Sequence, residues 1–98
     1  MTAEFMNFVA AFFLCNAEAE IRVLPPHEAQ QCIGYQTAIK IELLEDVSPD
    51  SYAVMTTAER ADFGRRGYQA YLEWKAENPD LVRELETEAR EIAMAQNS

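Results

Sequence analysis

Apolar positions recur along most of this chain at helical spacing, and over residues 57–77 they form a wide arc around which the rest is expected to be organised. At about 100° per residue, Ala61, Phe63, Gly64, Gly67, Tyr68, Ala70, Tyr71, Leu72 and Trp74 spread over roughly 200° of the circumference. A surface helix needs an apolar stripe of little more than about 100°. This segment is therefore expected to pack against at least two others and to lie near the middle of the domain. Gly64 and Gly67 fall inside the arc, where a missing Cβ lets a neighbour approach closely at about 1 kcal/mol of helix propensity each.

From Phe5 to Ala17 only Asn7 and Asn16 are polar. A helix capped by Thr2 would have to be hidden nearly all round, as a core helix, or offer spare rings to another chain. Two stretches, 17–23 (AEAEIRV) and 37–43 (TAIKIEL), alternate with period 2, which is a strand signal, although Ala-Glu repeats also favour helix. Pro26 reads as a helix start. Beyond it, Ala29, Cys32, Ile33, Ile39, Leu43 and Leu44 share an arc of ~160°, broken by Gln36 and Lys40, so helix is the preferred reading for 26–45.

Residues 45–51 are the clearest break, with a short helical turn expected through Tyr52, Val54 and Met55. Thr56 to Glu59 forms a capping box for the next helix. Asn78-Pro79 ends that helix and opens another, with Asn78 placed to cap it. In 79–95, Leu81, Val82, Leu85, Ala89, Ile92 and Ala93 make a compact stripe. The expected fold is all-α, a small compact bundle of about four helices near 3–20, 26–45, 57–77 and 79–95, ending in a helical hairpin. The alternative is α+β, with a short two-stranded ribbon at 19–24 and 37–43.

Composition narrows the function. Ninety-eight residues with 49% hydrophobic content suit one acidic helical domain spanning 1–98. A formal charge of −9 disfavours direct contact with nucleic acid or an anionic membrane. The apolar run at Phe5 to Cys15 lacks a preceding basic residue and is short of the ~20 residues that span a bilayer, so the chain reads as cytoplasmic. Cys15 and Cys32 have no metal-ligand spacing; two buried free thiols are the expectation and a single disulfide the alternative.

Candidate chemistry is sparse. His27 has no second histidine to work with and reads as a solvated helix-start residue. Glu42, Glu45, Asp46 and Asp50 cluster in sequence without the spacing of a calcium loop, and Arg65-Arg66 is flanked by acids. No phosphate loop or nucleophile motif is present, so no enzyme activity, cofactor or metal is expected. Above this background stands a row of carboxylates. Asp80, Glu84, Glu88 and Glu91 lie within about 80° of one another, and like charges at i,i+4 cost a helix a few tenths of a kcal/mol per pair. The expected function is that of a small non-enzymatic protein that binds a basic partner protein through this row as inhibitor or adaptor, including a partner whose groove ordinarily holds nucleic acid. The alternative is a structural or accessory subunit that forms a homodimer through Phe8 and Phe12.

Overall fold

The computed structural model describes residues 2–98. Among these residues five helices follow one another: α1 (Ala3–Ile21), α2 (Pro26–Leu43), α3 (Pro49–Ala53), α4 (Thr57–Glu77) and α5 (Pro79–Gln96). The all-α expectation holds, and among the described residues there is no strand. Residues 37–43 lie within α2, and 19–24 run from the end of α1 into the connecting loop, so the ribbon does not form. The Ala-Glu repeat follows its helix propensity, because a lone two-stranded ribbon is only marginally stable in water.

Local chemistry sets the ends. The Phe5 N–H donates to Thr2 Oγ1 at 3.0 Å. Both capping-box bonds at Thr56 and Glu59 are made, at 2.9 and 3.2 Å. Ser48 and Ser51 form a second capping box, which fixes the short helix α3 right after the proline-disfavoured position. Asn78 departs from expectation: its side chain donates to the Trp74 carbonyl at 2.8 Å, closing the end of α4 rather than capping α5. Pro79 begins α5 with no N–H to satisfy.

The centre of the molecule is α1. Phe5, Val9, Phe13 and Ala17 recur every fourth residue and are all buried in one core with Ile39 of α2, Tyr71 and Trp74 of α4, and Val82, Ala89 and Ala93 of α5. α1 packs along both α2 and α5, and its rings reach α4. Phe5 meets Trp74 edge to face at 5.3 Å between centroids, and Phe12 meets Tyr71 likewise at 6.1 Å. Residues 57–77 thus do not hold the middle. α4 packs on α2, turns at Asn78 into α5, and leaves Tyr68 and Leu72 49% and 45% exposed. α1 lies in the fork of this hairpin. The shortest dimension of the molecule is 20 Å, the thickness of two helix layers.

Of the two glycines in the wide arc, Gly67 provides the close approach and Gly64 does not. A Cβ at Gly67 would fall 2.7 Å from Lys40 Cβ and Cγ, whereas one at Gly64 would meet nothing within 4 Å.

Candidate functional site

Asp80, Glu84, Glu88 and Glu91 are all exposed on α5, on the flank away from its buried Val82, Ala89 and Ala93. Arg83 Nη1 stands 3.5 Å from Asp80 Oδ1 in a pair that is almost wholly solvated and contributes little. Among the described residues, Glu84, Glu88 and Glu91 enter no ion pair. Some carboxylates elsewhere are paired. Asp46 holds Arg66 at 2.6 Å, Asp62 holds Arg65 at 2.9 Å, and Glu20 lies 3.9 Å from Arg90.

The other sequence candidates disperse. His27 is exposed in the first turn of α2. Asp46 is committed to Arg66, which holds its carboxyl below the usual range, while Glu42, Glu45 and Asp50 are exposed. Arg65 and Arg66 are both paired to acids of the same chain. Among the described residues no three His, Cys, Asp or Glu side chains assemble as a metal site. A concavity of about 550 Å³ lies between α3 and α4. Its carboxylates, Asp46, Glu59 and Asp62, are already engaged with Arg66, the Thr56 N–H and Arg65. Phe8 and Phe12 are half-buried and pack against the core, with Phe12 on Tyr71.

A polar cluster that the sequence reading did not single out closes the other end of α1. Glu18 is 6% exposed, and its Oε2 accepts from Arg22 Nε at 2.8 Å and from Asn97 Nδ2 at 3.0 Å. Arg22 Nη1 continues to Glu28 at 2.9 Å. The Asn97 and Arg22 hydrogen bonds hold the Glu18 carboxyl below its ordinary pKa against the opposing effect of burial. Glu28 and Glu18 together raise the pKa of Arg22 further, so the guanidinium stays charged. Among the described residues Glu18 Oε1 is buried with no donor. The i,i+4 spacing of Glu18 and Arg22 was visible in the sequence, but Asn97, 79 residues away, carried no signal.

Beside this cluster Cys15 and Cys32 are joined in a disulfide, their Cα atoms 5.9 Å apart. This corrects the expectation of free thiols. The loop between α1 and α2 is short, so positions equally far from it come level in the hairpin. Cys15 lies six residues before the end of α1 at Ile21, and Cys32 six after the start of α2 at Pro26. No described helix is long and apolar enough to cross a membrane. Comparison of the chain with protein-family models, with curated proteins and with solved structures gives no match.

Proposed function

We propose that this chain is a non-enzymatic binding protein that docks the carboxylate row of α5 onto a basic surface of a partner protein, as inhibitor or adaptor. The observation that carries this reading is the alignment of unpaired carboxylates on one helix face. Arg65, Arg66 and Arg90 neutralise acids elsewhere, Arg83 reaches only Asp80, and among the described residues Glu84, Glu88 and Glu91 are left exposed, aligned and mutually repelling. A row spaced roughly 6 Å along the helix axis matches a basic groove, including one that ordinarily takes a phosphate backbone. Self-association through Phe8 and Phe12 has less surface to draw on, since both rings already pack on the core. For location, the Cys15–Cys32 bond weighs against the cytoplasmic expectation, because disulfides persist in oxidising compartments and are uncommon in a reducing cytosol.

The double change Glu84→Gln with Glu88→Gln tests the row. Removing two like-charge contacts should raise the stability of the free protein by a few tenths of a kcal/mol. Retention of the partner from host extract on the immobilised chain should fall about tenfold or more, and wild-type retention should weaken steeply above physiological salt. Retention unchanged by both mutation and salt would dispose of the reading. Loss of binding together with loss of fold would only register damage.

A further inference from the structure

The disulfide borders a groove between α1 and α2, in which Leu14, Cys15 and Glu18 stand opposite Gln31, Cys32 and Tyr35. The groove holds about 180 Å³, room for a molecule of a few heavy atoms. Both cysteines are half-buried and line this groove, through which a small thiolate would approach them. Glu18, Glu28 and Arg22 also line it, two carboxylates against one guanidinium, which leaves the lining at −1. Glu18 Oε1 lacks a donor. Cys15 and Glu18 are neighbours at i,i+3 on one helix face, with Cβ atoms about 5–6 Å apart.

We propose that this groove is a thiol–disulfide exchange site for small cationic thiols, in which Glu18 draws the ammonium group of the ligand and Cys15 takes its sulfur. A thiol bearing an ammonium two carbons from sulfur matches the Cys15–Glu18 spacing. Its thiolate attacks Cys15 Sγ and forms a mixed disulfide there. The electron pair of the broken S–S bond leaves on Cys32 Sγ, which takes a proton from water. A second thiolate then attacks the mixed disulfide at the sulfur of the first thiol. The oxidised form of the small thiol is released and Cys15 departs as a thiolate, so two electrons pass from two thiols to the pair. The step is stoichiometric and independent of the acidic row.

The test is the rate of reduction of the native oxidised chain by cysteamine, 2-mercaptoethanol and mercaptoacetate, compared at equal thiolate concentration and physiological salt. Each rate is divided by the rate for the same chain unfolded in guanidinium chloride, which removes intrinsic differences between the thiols. The normalised rates should fall from cationic through neutral to anionic thiol, by about tenfold or more between the extremes. Glu18→Gln should bring that ratio towards one. Should that variant fail to fold by circular dichroism, Glu28→Gln serves instead and should lower the ratio. Glu77→Gln should leave the ratio alone. Trp74, just before Glu77 on α4, meets Phe5, which lies roughly 20 Å along α1 from Glu18. Mass mapping of the trapped cysteamine adduct should place it on Cys15. The proposal is overturned by equal normalised rates, by a ratio that survives Glu18→Gln, by an adduct on Cys32, or by a rate independent of thiol concentration.

Discussion

Lys40 lies across Gly67 so closely that the two helices are in contact through the stem of the lysine, and the burial this entails lowers the pKa of its ammonium group. A Cβ added at Gly67 would press on Lys40 Cβ itself, which no change of rotamer can move away. Gly67→Ala should therefore cost about 1–3 kcal/mol of overpacking, more than the roughly 1 kcal/mol gained in helix propensity. Gly64→Ala has open space and should stabilise by about 0.5–1 kcal/mol. Urea melts of the two variants should shift in opposite directions. The sequence placed both glycines on the apolar arc but held nothing to separate them, because the difference lies in which turn of α2 crosses α4. A second residue with a measurable signature is Tyr71, whose phenol is pushed up to about 12, by burial first and then by the charge of Glu86. A raised folded-state pKa favours the neutral phenol, so its contribution is complete below about pH 10 and is lost as pH climbs towards 12. Stability should drop in that window by on the order of 2 kcal/mol, and Tyr71→Phe should flatten this part of the profile in alkaline melts.

At the level of whole helices, the ends were more legible than the neighbours. Thr2, Thr56, Glu59 and the prolines at 26 and 79 act within a turn of themselves, and α1, α2, α4 and α5 begin where they direct, whereas α3 starts at Pro49, inside the expected break, and ends before the Val54 and Met55 expected in it. Which helix becomes central depends on competition among faces distant in sequence. α4 has a wide arc, yet α1, apolar nearly all round, takes the core because its rings serve two sides: Phe5 and Phe12 meet α4, and Val9, Phe13 and Ala17 share the core with α2 and α5. The α1–α2 pairing carries a crosslink that closes a 17-residue separation. Replacing both cysteines by serine should lower stability by about 3 kcal/mol, by the chain-entropy account of such a loop. Chemical melts of the double variant against the oxidised parent measure this directly, and coincident curves would show that the crosslink merely decorates a pairing already secure.

For the molecule as a whole, the acidic balance could be read from composition, but its distribution could not. Bases from several helices are drawn onto particular acids, and the row on α5 is among the carboxylates left solvated. The Glu18, Arg22, Glu28 and Asn97 cluster belongs to this scale too, since it brings the last residues of the chain against the end of α1. Acid should weaken it. The depressed pKa of Glu18 supplies stability that is complete above the ordinary carboxylate range and is lost as pH falls through the folded-state value. The disulfide also closes the peptide chain into a covalent loop. Cys15 and Cys32 stand on either side of the α1–α2 loop, where Val23 is 92% exposed next to Arg22. A protease that cuts between Arg22 and Val23 would sever the backbone without separating the pieces. Limited trypsin digestion should give a nicked species with the mass of the intact chain plus one water and a helical spectrum, which comes apart only when a reductant is added. The loop then becomes dispensable as a connection, and a new chain start or an inserted domain can be placed there while the bond holds the two helices in register.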